Sequence, residues 1–162
     1  MMIVNAGWEQ VDLIRAAKEM GLYVIATDAS SDAAGFSFAD EHHVVDPRNL
    51  PALYELAATS HPDGIVADQC DYSHYASAFI AERLKLPGSG LSAVQNCTNK
   101  KWMREACQRA GILQPAFIPC KNFDEVRKAA ADIGYPVIVK PLDNRGNFGV
   151  NKVEDDSQLL EA

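Results

Sequence analysis

Through its first 86 residues the chain keeps switching between short apolar runs and longer amphipathic ones. "MMIVNAG", "LYVIATDAS", "EHHVVD" and "DGIVADQ" read as four strands. "EQVDLIRAAKEMG", "LPALYELAATS" and "SHYASAFIAERLKL" read as helices between or after them. Strands joined by whole helices run parallel, because the crossover must carry the chain back to its starting edge. The rhythm therefore predicts an α/β fold on a parallel, helix-flanked sheet. On the first helix, Val11, Ile14 and Ala17 share one face, with Leu13 and Met20 beside it, and Gly21 supplies the stop. Asn49 is placed to cap the second helix, and Ala76, Phe79, Ile80 and Leu84 point inward on the third.

"PGSG", residues 87–90, breaks this rhythm and predicts the end of a first domain, 1–90. The remainder, 91–162, reads as a small α+β unit. A short helix with a capping-box pattern (Ser92, Gln95) comes first, then "NKKWMREACQRAG", with Thr98 as cap and Gly111 as stop. Trp102 and Met103 on that helix read as core. "PAFIP" is a predicted strand, and "FDEVRKAAADIG" a helix with a second capping box (Asn122, Glu125). "YPVIVKP" and "GVNKV" are predicted strands, and "DDSQLLEA" opens a further helix. Ending so soon after a helix starts, the chain reads as the front part of a longer protein.

Composition narrows the function classes. With 48% hydrophobic residues a sizeable core is available, and the formal net charge is −7. An acidic surface argues against a nucleic-acid or membrane partner, both of which favour basic patches. The four cysteines, Cys70, Cys97, Cys107 and Cys120, form no C-x-x-C pair. That pattern fits free thiols in a reducing compartment better than disulfides or zinc. No apolar run approaches membrane-spanning length, and the expected location is cytoplasmic.

One stretch concentrates chemistry. In "YPVIVKPLDNRGNFGV" an apolar strand ends on Lys140, a lysine in a buried-looking position, and a loop with two glycines follows. Lys100 lies in the first turn of a helix, where free backbone N–H groups and the positive dipole end favour an anion. The loop adds backbone N–H groups and Arg145, and its glycines let the backbone approach a ligand closely. The sum suits a polyphosphate. The plainer alternative is a lysine snorkelling from a strand end beside an ordinary hairpin turn. Pattern alone leaves both readings open.

Taken together, "TNKKWMREACQRAGI", "PAFIP" and "YPVIVKPLDNRGNFGV" resemble the start of an ATP-grasp domain. The part before them resembles the Rossmann-like domain that precedes it in such enzymes. The similarity is to the branch with carbamoyl-phosphate synthase large chains, biotin carboxylase and purine-pathway ligases. The resemblance implies ATP as substrate, with Lys100 and Lys140 on its phosphates and Gly146, Asn147, Phe148 and Gly149, with Arg145, in the loop that closes over them. Asn144, Arg145 and Asn147 stand where the family commonly has Ser or Gly, and Phe148 where a basic residue is frequent. The resemblance further implies Mg2+ held by residues beyond position 162, a small-molecule carboxylate and a nucleophile as substrates, and a homodimer. No catalytic residue is assigned within this sequence.

The first domain carries weaker signals. Gly7 after the first strand and Asp28 closing the second match half of a dinucleotide fingerprint, but "NAGWEQ" has one glycine where three are needed. The resemblance instead turns Gly7, Trp8 and Glu9 toward the acceptor substrate. Asp68, Asp71 and His74 follow the fourth strand at the sheet edge where open α/β folds bind ligands. Substrate contact by Asp68 and Asp71 is the favoured reading there, ahead of a metal. Two alternatives to a ligase remain at this stage: a nicotinamide-dependent oxidoreductase using Asp28, and a non-catalytic nucleotide-binding or interaction module.

Overall fold

Met2, Ile3 and Val4 are all fully buried, so β1 (Met2–Val4) is covered on both faces. A central parallel strand requires this. The structure is a computed structural model that describes residues 1–142 and 149–161. β1 lies between β2 (Ile25–Asp28) and β4 (Ile65–Val66), and β3 (Glu41–Val44) extends the sheet beyond β2. The order is β3-β2-β1-β4 and every pairing is parallel, with Met2 opposite both Ile25 and Ile65.

Alternation along the strands sorts the helices onto two faces. Ile3 and Ala26 pack with Ile14 and Ala17 of α1 (Val11–Glu19). Met2, Val4 and Ile25 pack with Leu53 and Ala57 of α2 (Leu50–Ser60) and with Ala76 and Ile80 of α3 (Asp71–Leu84). Asn49 caps α2 as expected, its side chain accepting the Ala52 N–H at 3.3 Å. Met20 departs from expectation and is exposed. Gly21, at φ +77°, lets the Leu22 N–H turn back to the Ala17 carbonyl at 3.1 Å, so the helical face has ended before Met20.

The compact units are Met1–Thr98 and Asn99–Ala162, a later break than the one expected at residue 90. The reason is α4 (Leu91–Thr98), which packs on α3 and whose Leu91 N–H donates to Glu82 Oε2 at 3.1 Å. The second unit holds α5 (Lys100–Arg109), α6 (Phe123–Ile133) and the antiparallel pair β5 (Val137–Val139) and β6 (Asn151–Val153). Its core is Ala130, Val137, Val153 and Leu159. Half of the expected box at α6 is present, the Asn122 side chain accepting the Glu125 N–H, while Glu125 accepts the N–H of Lys121, one residue before the cap, each at 2.9 Å.

Three expectations for this unit are corrected. "PAFIP" forms no strand among the described residues. Pro115 and Pro119 lack ladder donors, and none of the described strands pairs with this segment. The segment after β6 makes a 3-10 turn, Asp156–Leu160, where an α-helix was expected. Trp102 is exposed, and α5 buries none of its residues.

Of the described glycines, Gly35 has the least room for a side chain. A methyl group there would lie 2.5 Å from Ile14 Cδ1 and 2.8 Å from the Ala6 carbonyl oxygen. Gly35→Ala is therefore expected to cost about 1–3 kcal/mol, the usual range for overpacking. Urea unfolding of the two proteins checks this, and an unchanged midpoint would contradict the assigned contact.

Candidate functional site

The second unit builds its candidate phosphate site from a helix start and a strand exit. The Asn99 side chain accepts the N–H groups of Lys101 and Trp102 at 3.1 and 3.2 Å, which starts α5 at Lys100. Thr98 had been the expected cap. It is still the last residue of α4, and its hydroxyl donates to the Val94 carbonyl at 2.9 Å. The Lys100 N–H donates to the Leu142 carbonyl at 2.8 Å. Leu142 lies two residues past Lys140, so this bond fastens the first turn of α5 to the chain leaving β5. The backbones of Lys100 and of the Lys140 strand exit are thereby neighbours, while the first-turn N–H groups of α5 are already taken by Leu142 and Asn99, which leaves the two lysine charges as what suits this corner to an anion.

Lys140 is exposed, contrary to its buried look in the sequence. Among the described residues, only one face of the two-stranded sheet is covered. Val137 and Val153 fill that face, while Ile138, Lys140 and Lys152 alternate onto the other. Ile138 is 55% exposed and sits opposite Lys152, which pairs with Glu154 at 2.6 Å. An apolar run such as 137–139 does not by itself show that Ile138 faces outward. Its i, i+2 spacing from Lys140 was the signal that placed both on one face. Arg145, Gly146, Asn147 and Phe148 lie outside the described residues. Gly149 is described: its φ is +71°, and a methyl group on it would lie 3.3 Å from Pro141 Cδ. The far end of the loop thus returns to the strand exit.

In the first unit, the parallel sheet brings the other predicted residues to one edge. Gly7, Trp8 and Glu9 follow β1, Asp28 ends β2, Asp68 follows β4 and Asp71 opens α3. This is the carboxyl edge, and between β1 and β4 the strand order reverses, the usual place for a ligand crevice in open sheets. Trp8 is 78% exposed there. Asp28 is already engaged: Oδ2 accepts the Ala6 N–H at 2.8 Å and Oδ1 the Ser30 N–H at 2.9 Å. A carboxylate so occupied is poorly placed to hold a ribose, which weakens the dinucleotide alternative. Asp68 Oδ1 is buried without a hydrogen-bond partner among the described residues. His74 turns Nδ1 toward the Ala67 carbonyl at 3.4 Å. At the same edge the Arg48 guanidinium lies 4.0 Å from the Tyr72 ring centroid, and burial raises the Tyr72 hydroxyl above its ordinary pKa.

Among the described residues, no three His, Cys, Asp or Glu side chains gather into a metal-binding group, and no helix is long and apolar enough to cross a membrane. All four cysteines are free thiols.

Residues 99–162 match the family described as the carbamoyl-phosphate synthase L chain, ATP binding domain. Across its whole length the chain is 29% identical to a formate-dependent phosphoribosylglycinamide formyltransferase of Erythrobacter litoralis, covering 42% of that protein. It is 26% identical to biotin carboxylase 1 of Bacillus subtilis, covering 39% of it. The fold matches a crystal structure of N5-carboxyaminoimidazole synthetase from Staphylococcus aureus complexed with ADP. The TM-score is 0.83 at 24% identity, over 99% of this chain and 42% of that one. The chain thus spans about two fifths of the length of these relatives.

The cap and the returning glycine make separate predictions. Asn99→Ala is expected to cost about 1 kcal/mol by leaving two N–H groups without their acceptor. Gly149→Ala is expected to cost about 1–2 kcal/mol, because a side chain is strained at that φ and meets Pro141. Chemical denaturation of each variant measures the change, and wild-type stability in either one would refute the corresponding contact.

Proposed function

We propose that this chain, whose second unit is the opening part of an ATP-grasp domain, binds ATP and supplies the nucleotide-binding front of a carboxylate ligase. The observation that carries this reading is the 2.8 Å bond from the Lys100 N–H to the Leu142 carbonyl. It sets the Lys100 backbone beside the strand exit that presents Lys140, so that two lysines serve one corner. Lys100 and Lys140 offset charge on the phosphates and orient them for transfer. Exposed Ile138, on the Lys140 face, offers apolar surface to the rest of the nucleotide. Arg145, Gly146, Asn147, Phe148 and Gly149 take the phosphate-covering role that the resemblance implies.

In the proposed reaction the γ-phosphoryl group passes to a substrate carboxylate oxygen, leaving ADP and an acyl phosphate. An amine or other nucleophile then attacks the acyl carbon and displaces phosphate. Magnesium supplies charge neutralisation on the phosphates when bound, and no described residue is assigned to it. The carboxyl edge of the first unit, with Gly7, Trp8, Glu9, Asp68 and Asp71, faces the small-molecule acceptor. Asp28 supports that edge through the backbone of Ala6. Free thiols suit a cytoplasmic setting.

Titration of the chain with ATP and ADP, with and without magnesium, tests the reading. Lys140→Ala is expected to weaken binding by about 1.5–3 kcal/mol, the size of a charged hydrogen bond. That is roughly 10- to 150-fold in Kd. Retained affinity in Lys140→Ala would remove the central assignment, and tight NADH binding in place of ATP would favour the oxidoreductase alternative.

A further inference from the structure

Gln10 is a polar residue in an apolar place, only 2% exposed between the first strand and α1. Its Nε2 donates to the Asp68 carbonyl at 3.2 Å, across 58 residues of sequence. Since β1 and β4 are neighbours, this bond joins the two loops at the point where the strand order reverses. The Gln10 N–H also closes the turn, donating to the Gly7 carbonyl at 3.1 Å. Gln10 Oε1 lies over Gly7, where a methyl group would come within 3.3 Å of it. Gly7 has φ −65° and ψ −177°, extended backbone open to any residue. Space for the Gln10 amide, and not conformation, therefore accounts for a glycine there.

Two other bonds hold this turn from its opposite side. Ala6 gives its N–H to Asp28 and its carbonyl accepts the Gly35 N–H at 2.7 Å. Those bonds reference the turn to β2 and to the segment after it. The Gln10 amide references it to β4. A buried amide that loses its partner is costly, so the turn and the Asp68 loop are held as one unit while the bond lasts.

We propose that Gln10 is a positioning residue: it sets the spacing between the Trp8–Glu9 turn and Asp68, and so the shape of the acceptor edge. Its functional meaning rests on the reading above that this edge receives the acceptor. Gly7 belongs to the same device, because a larger residue would displace the amide.

The test uses the full chain carrying Trp102→Phe, which leaves Trp8 as the sole tryptophan. Fluorescence anisotropy decay of Trp8 is measured without any ligand, between about pH 5 and about pH 8, the range into which burial raises a glutamate. In Gln10→Ala the fast local component should at least double in amplitude at every pH. In Gln10→Glu the protonated carboxyl can donate to the Asp68 carbonyl and the carboxylate cannot. That variant should match the Gln10 protein at low pH and the alanine variant at high pH. The other titratable and charged groups of this edge, Glu9, Asp28, Arg48, Asp68, Cys70, Asp71, Tyr72 and His74, are common to all variants, and the Gln10 protein's own profile subtracts them. Equal mobility in Gln10→Ala, or a flat profile in Gln10→Glu, overturns the proposal. Should Gln10→Ala lose its far-UV circular dichroism, the reversible glutamate profile still decides. No acceptor is added, so this outcome is independent of the acceptor reading. That reading fails separately if Trp8→Ala leaves acceptor-dependent ADP release unchanged.

Discussion

The first unit depends on a three-residue strand buried on both faces. Met2, Ile3 and Val4 each stand to contribute about 1.5–3 kcal/mol on burial, and they can do so only if helices cover the sheet above and below. That demand fixes the layer order, with α1 on one side and α2 and α3 on the other. It also makes β1 the pivot from which the chain departs first one way and then the other. The gathering of Gly7, Asp28 and Asp68 at the carboxyl edge follows from the burial of these apolar residues.

The second unit works on a different principle. Its core is small, and its candidate site owes little to enclosure. Lysines are gathered at element ends, and the backbone donors there are met from within the unit: Asn99 satisfies two N–H groups of α5, and the Lys100 N–H reaches across to Leu142. The same geometry that satisfies the helix start brings it beside the Lys140 strand exit. The bonds that start α5 are thus also the ones that tie it to the chain leaving β5.

How much of this was legible in the sequence varies with the physics involved. The parallel sheet and its helices were readable, because long-range burial imposes periodicity on many residues at once. The places of Lys100 and Lys140 in the chain were readable because both fall at element ends, Lys100 opening α5 and Lys140 just past β5. The cap was misassigned to Thr98 because choosing between neighbouring cap formers depends on where α4 stops, a tertiary matter. "PAFIP" was taken for a strand because β propensity carries no information about whether a partner lies alongside. Exposure of Ile138 and Trp102 also depends on what covers them, which no local pattern states. Gln10 was missed because one buried amide has no periodicity at all.

The sheet's outer strands bear on how the chain behaves in company. An open sheet offers unpaired backbone groups at both margins, an invitation to strand addition by another molecule. β4, at one margin, is two residues long, too short to template much pairing. β3, at the other, carries Glu41, His42 and His43, with the His43 ring 2.5 Å from Glu41 Oε1. A charged, histidine-bearing margin and a stub give another copy little to zip onto. Aggregation through these margins is thus opposed by the strands themselves.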